Sequence, residues 1–99
     1  EDYHPAMAGM GAAFIKMKEH EKAAQCFEAA LKICDNEDNN HGVGVLLFDL
    51  GHFDKAIPYF LKAISLNPSK PDYHKNIAKA YFRMAKNQEA LEHLYEAYK

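Results

Sequence analysis

Three groups of side chains in this 99-residue sequence have types and spacings that could do chemistry: six histidines, two cysteines and a line of three cations. The histidines, His4, His20, His41, His52, His74 and His93, are scattered along the chain. No two stand four residues apart, the spacing that puts two imidazoles on one helical face as metal ligands, and HExxH is absent. A CxxC pair, a glycine-rich phosphate loop and a nucleophile elbow are absent too. Solvated surface histidines are therefore expected, in a chain that is no enzyme and needs neither metal nor cofactor. Cys26 and Cys34 fall within one predicted helix. At about 1.5 Å of rise per residue they lie roughly 12 Å apart, beyond disulfide reach. Unpaired thiols suit a reducing compartment, so the expected location is cytoplasmic.

The cations are the more informative group. Lys75, Lys79 and Arg83 stand at i, i+4 and i+8 and so line one face of a predicted helix, with Asn76 and Phe82 beside them. Such a wall can pair with a carboxylate or an acidic side chain while Phe82 offers apolar contact. Nucleic acid is a poorer match. Twelve basic residues against fourteen acidic ones leave a formal charge of −2, and no stacking aromatics interleave with the basic stripe. Direct membrane insertion is not expected, because no apolar run approaches the ~20 residues that span a bilayer. The opening EDYHPAMAGMGAAF lacks the basic lead of a signal peptide.

The elements that must position these residues repeat. Gly51 to Pro68 reads GHFDKAIPYFLKAISLNP: a glycine turn, an aspartate suited to capping, and a closing Asn-Pro. Between them Ala56, Ile57, Phe60, Ala63 and Ile64 form one apolar face of an amphipathic helix. Pro58 is expected near the first turn, where its missing N–H costs little, and Pro68 marks the stop. Ala23, Phe27, Ala30 and Leu31 recur 33 residues later as Ala56, Phe60, Ala63 and Ile64, and 34 residues later again as Ala90, Leu94, Ala97 and Tyr98. Periods of this length signal a solenoid whose units cannot bury their apolar faces alone.

In chain order, the first helix is expected from Pro5 to about Lys18, with Met7, Met10, Gly11 and Phe14 inward. A second runs from about Glu21 to Ile33. Asp35 to His41 reads as a polar, acidic loop, and the next helix, roughly 41–50, carries Gly42, Val43, Gly44 and Val45. Glycine costs about 1 kcal/mol against alanine in a helix interior, so this helix is expected to be the weakest and to fray first. Ser69-Lys70-Pro71-Asp72 reads as a capped helix start leading to about Met84, and a last helix covers about Gln88 to Tyr98. One domain is expected, in three repeats over about 4–36, 37–70 and 71–99.

These motifs resemble the tetratricopeptide repeat. Met10-Gly11 and Phe14, Val43-Gly44 and Leu47, and Ile77-Ala78 and Tyr81 fill the slots of its first helix. Ala23, Phe27 and Ala30, then Ala56, Phe60, Ala63 and Pro68, then Ala90, Leu94 and Ala97 fill those of its second. The tryptophan slot holds Met7, Asn40 and His74, and Asp35 stands where the first repeat usually has proline. The resemblance implies an all-α, right-handed solenoid of six antiparallel helices that binds a protein partner, as an extended peptide or helix, in its concave groove. Through it Ala12, Ile15, Val45 and Phe48 join Lys75, Asn76, Lys79, Phe82 and Arg83 as expected partner contacts. Ala8, Gly9, Lys16, His41, Gly42 and Asp49 complete the groove of the first two repeats. An apolar floor with positive charge at one end suits a partner segment with an apolar anchor and acidic residues.

Two specialisations of the family are not supported. The clamp that grips the EEVD tail of heat-shock chaperones needs lysines, arginine and asparagines where this chain has Ala8, Ala12, Gly42, Asp72 and Asn76. An asparagine ladder is reduced to Asn76, with Gly9 and Gly42 in the other places. The second functional reading is self-assembly, in which the apolar last helix (Leu94, Tyr95, Tyr98) and the glycine-rich first helix stack on another copy or on further repeats.

Overall fold

The computed structural model describes residues 6–98, with side chains from residue 9 onward. The expectations for His4, Pro5 and the side chains of Met7 and Ala8 lie outside the described residues. Six helices follow one another: α1 (Ala6–Lys16), α2 (His20–Ile33), α3 (Glu37–Asp49), α4 (Phe53–Leu66), α5 (Pro71–Arg83) and α6 (Asn87–Ala97). They pack as the pairs α1/α2, α3/α4 and α5/α6, and each pair leans on the next through α2/α3 and α4/α5. The backbones of the first helices of the pairs also approach one another, α1 to α3 and α3 to α5, whereas those of α2 and α4, and of α4 and α6, stay further apart. The stack is thus tighter along its first helices, which form the inner, concave layer of a solenoid 41 × 26 × 17 Å in extent.

Each pair is joined by the same left-handed turn. Lys18, Gly51 and Ala85 have φ of 62°, 86° and 62°, and they recur at the repeat spacing. In each turn the next N–H donates back to the carbonyl five residues earlier: Glu19 to Phe14, His52 to Leu47 and Lys86 to Tyr81. That bond is the Schellman closure, which satisfies carbonyls a helix end leaves open. Only the middle repeat uses glycine, the residue that adopts this conformation without strain. Ala85→Gly is therefore expected to stabilise the domain by about 0.5–1 kcal/mol, read from the urea midpoint. An unchanged or lower midpoint would show that the turn carries no such strain.

Several expectations about helix ends are corrected. Residues 37–40 belong to α3, not to a loop. Asn36 accepts the Asn39 backbone N–H at 2.9 Å as its N-cap, and Glu37 and Asp38 place acid in the first turn. Asn39 and Asn40 are buried, Asn39 donating to the Cys34 carbonyl at 2.7 Å and Asn40 to Asp35 and to the Asn36 carbonyl. A polar run thus starts a helix because every buried amide finds a local acceptor. Neither Asp54 nor Ser69 caps a helix. The flanking positions are His52 and Lys70, whose side chains make no capping bond, and Ser69 donates instead to Asn67. Pro58 lies on the exposed side of α4, one turn further in than expected. Met10, expected inward, is 52 % exposed.

Two phenylalanines explain the glycines of the inner layer. A Cβ at Gly11 would sit 2.6 Å from the Phe27 ring, and one at Gly42 would sit 2.1 Å from it. A Cβ at Gly44 would meet the Phe60 ring at 2.6 Å. Phe27 thus wedges between α1 and α3, packed with Ile15, Ala23 and Leu46, and Phe60 packs with Ala56, Ile57, Ile77 and Ala80. Val45 touches both clusters and joins them. The glycines of α3 lower its intrinsic helicity but permit the ring contacts that hold it.

Candidate functional site

Along the concave layer two hollows adjoin at Val45. The first, of about 290 Å³, is lined by Gly9, Ala12, Ile15, Phe27, Asp38, His41, Gly42 and Val45. The second, of about 170 Å³, is lined by Val45, Phe48, Phe60, Asn76 and Lys79. Its walls are apolar, and it carries one amide and one ammonium. Ala12, Ile15, Val45, Phe48, Asn76 and Lys79 thus line a continuous trough in which Ile15, 7 % exposed, forms floor rather than rim.

The three cations do not share one setting. Lys75 lies over the Tyr98 ring at 5.2 Å, toward α6. Arg83 lies over Phe48 at 5.4 Å and Phe53 at 5.9 Å, and those two rings meet edge to face at 5.0 Å. Only Lys79 reaches the hollow. The i+4 spacing keeps neighbouring residues close on a helix but drifts around it, so over two turns the line spreads along α5 and only its middle member lines the hollow. Phe82, 44 % exposed, lies outside the residues that line either hollow.

His52 is exposed, as expected of a solvated surface histidine, but His20, His41, His74 and His93 depart from that expectation. His41 accepts from Asn76 Nδ2 at its Nε2, 2.6 Å away, and its ring lies tilted against those of Tyr73, at 4.7 Å, and Phe60, at 5.7 Å. Burial, the largest influence, pushes its pKa below the ordinary imidazole value; Asp38 and Asp72 oppose this and Lys70 reinforces it. His74 is buried, its Nδ1 3.1 Å from Nδ1 of His93, whose ring also stacks on Tyr81. One imidazole of that pair must donate and the other accept, so both cannot be charged without breaking the bond. Burial first, and His74 second, lower the pKa of His93. His20 pairs with Asp49 at 2.6 Å, tying the first inter-helix turn to the end of α3. Scatter in sequence concealed these pairs, whose members lie 19 to 35 residues apart.

A pH dependence of stability follows. With folded pKa values depressed, His41 and His93 bind fewer protons in the folded than in the unfolded chain as pH falls below the ordinary imidazole range. Folding should weaken from about pH 6.5 downward, while Asp35 and Asp49, held low by Lys62 and His20, add their loss only in the carboxylate range. The urea midpoint at pH 5 should lie below that at pH 7.5, and His93→Gln should flatten the difference. A midpoint constant across that interval would contradict the assignment.

Cys26 and Cys34 are free thiols. Among the described residues no three His, Cys, Asp or Glu side chains converge to hold a metal ion, and no helix is long and apolar enough to cross a membrane.

Comparison with known proteins agrees with this geometry. A tetratricopeptide-repeat profile matches residues 4–37, and a second TPR-repeat profile matches residues 44–84. The human protein O-mannosyl-transferase TMTC1 is 23% identical over 88 residues, 89% of this chain and 10% of that protein. Intraflagellar transport protein 70A from Bos taurus is 35% identical over 63 residues, 63% of this chain and 10% of that protein. The chain thus spans about a tenth of the length of these curated relatives. Among solved structures, a crystal structure of MamA superposes with a TM-score of 0.85 at 25% identity, covering 93% of this chain and 54% of that one. The translocator chaperone SycD of the Yersinia enterocolitica type III secretion system superposes with a TM-score of 0.87 at 17% identity, covering 93% and 70%. That likeness concerns the fold alone. With the repeated turn, the wedged aromatics of α2 and α4 and the concave inner layer, these matches show that the chain belongs to the tetratricopeptide-repeat family, the all-α solenoids of protein–protein interaction.

Proposed function

We propose that this domain is an adaptor that holds a partner segment in the trough along α1, α3 and α5. The observation that carries the reading is the pair of adjoining hollows, apolar through Ile15, Val45 and Phe48 and bearing the Lys79 ammonium beside the Asn76 amide. Apolar walls with a few placed polar groups are what an anchor side chain and a neighbouring acid require. The partner is a protein segment with an apolar anchor and an acidic residue, met in the reducing cytoplasm where Cys26 and Cys34 stay free. Selection of peptides from a random display library on the immobilised domain tests this. Enrichment of acidic-apolar sequences that elute at high salt supports it; enrichment of basic sequences, or none, overturns it.

Self-assembly is the second reading. Tyr95 of α6 and Tyr98 at its end are 70 % and 75 % exposed, with Leu91 of the same helix 55 % exposed, an apolar surface that a further copy could cover. Mass measured by sedimentation over a hundredfold concentration range separates the two: growth favours stacking, and a constant monomer removes it.

A further inference from the structure

We propose that His41 sets the hydrogen-bonding sense of Asn76 and thereby what the trough offers a ligand: an acceptor when His41 is neutral, a donor when it is protonated. This rests on the trough being the binding site. A primary amide has two unlike ends, an NH2 that only donates and a carbonyl oxygen that only accepts. In the structure Asn76 turns its Nδ2 to His41 Nε2 at 2.6 Å, which requires a lone pair on Nε2 and so the Nδ1–H tautomer of a neutral ring. Asn76 makes no other side-chain hydrogen bond to the described residues, so Oδ1 is left for the hollow it lines with Val45, Phe48, Phe60 and Lys79. A peptide N–H laid across α5 finds its acceptor there.

Protonation reverses the arrangement. An imidazolium Nε2–H cannot accept, and two N–H groups facing each other at this distance repel. The amide relieves this by turning half a revolution about its last torsion, a two-fold rotation with little intrinsic preference. Oδ1 then accepts from His41, and the NH2 enters the hollow beside Lys79. The trough loses an acceptor and gains a donor and a positive charge, which favours a carboxylate over a backbone N–H. The groups facing His41 are few. Asp38 lines the same hollow, Asp72 and Lys70 act at longer range, and the Tyr73 hydroxyl, its pKa pushed up to about 12, stays neutral. The neighbours from α1 and α2, Gly9, Ala12, Ile15 and Phe27, do not titrate.

The test needs no ligand, so it stands apart from the question of what fills the trough. In the uniformly 15N-labelled chain, His41 Nε2 should show the shift of an unprotonated nitrogen at pH 7.5, with scalar coupling to Asn76 Nδ2 across the hydrogen bond. On acidification the coupling should vanish as Nε2 protonates, and nuclear Overhauser contacts of the Asn76 NH2 should move from the His41 ring to Val45 and Phe48 with the same midpoint. A protonated Nε2 at pH 7.5, or Asn76 contacts unchanged through the His41 titration, would overturn the proposal. Asn76→Asp, which can only accept, should raise the His41 midpoint by about one pH unit or more. A midpoint unmoved by that isosteric change would equally count against it, since packing alone would give no shift.

Discussion

Phe60→Ala is expected to leave the domain largely unfolded at 25 °C. The Phe60 ring is 1 % exposed and fills the space between α3 and α4 that only Gly44 leaves open. It also supports Ile77 and Ala80 of α5 and the His41 ring of the trough. Truncating a buried phenylalanine to alanine costs about 3–5 kcal/mol through lost burial and the cavity left behind. Small domains command about 5–15 kcal/mol in all, and one of this length belongs near the lower end. In a solenoid the loss is shared, because each pair of helices is held by its neighbours, so α5/α6 should melt with α3/α4. Helicity followed through a urea titration would show a midpoint near zero denaturant. A loss below about 1 kcal/mol would mean that the ring is not the wedge its contacts describe.

Lys79→Glu carries the largest expected effect on binding. Lys79 is the one cation of its line that reaches the hollow, and its neighbours there are Val45, Phe48, Phe60 and Asn76. A hydrogen bond to a charged group contributes about 1.5–3 kcal/mol, so reversal of the charge should weaken an acidic-apolar peptide by about 10- to 100-fold. The thermal midpoint should hardly move, because Lys79 makes no ion pair with the described residues. Arg83→Glu is less informative, since Arg83 covers the Phe48 and Phe53 rings and its loss disturbs packing as well. Fluorescence anisotropy with a selected peptide reads the first effect and calorimetry the second. Equal affinity for wild type and Lys79→Glu would place the acidic part of the ligand elsewhere.

Much of the fold was legible because the second helices repeat their apolar positions closely. Ala23, Phe27 and Ala30 reappear as Ala56, Phe60 and Ala63, and all six are buried. The start of α3 was not legible. Acidic and amide residues read as loop unless their partners are known, and the partners of Asn39 and Asn40 are backbone carbonyls and a side chain within five residues. The turns at Lys18 and Ala85 were concealed for a related reason. Glycine announces a left-handed residue, as at Gly51, whereas lysine and alanine give no such signal although the repeat imposes the same φ on them. The glycines of α3 read as weakness in sequence, and only the Phe27 and Phe60 rings show them to be contact surfaces.

At the trough, spacing placed Lys75, Lys79 and Arg83 on one helix face but could not show that aromatic rings lie under the outer two. The His41–Asn76 bond spans 35 residues, about one repeat, and joins equivalent layers of neighbouring units. No short motif encodes a contact of that kind. It arises because solenoid packing sets residues one period apart side by side.

The most direct measurement is an amide chemical-shift map of the 15N-labelled domain titrated with a selected acidic-apolar peptide. The account predicts that shifts concentrate on Ala12, Val45, Phe48, Asn76 and Lys79, along the inner faces of α1, α3 and α5. Shifts confined to Leu91, Tyr95 and Tyr98 on α6, with the trough silent, would contradict it.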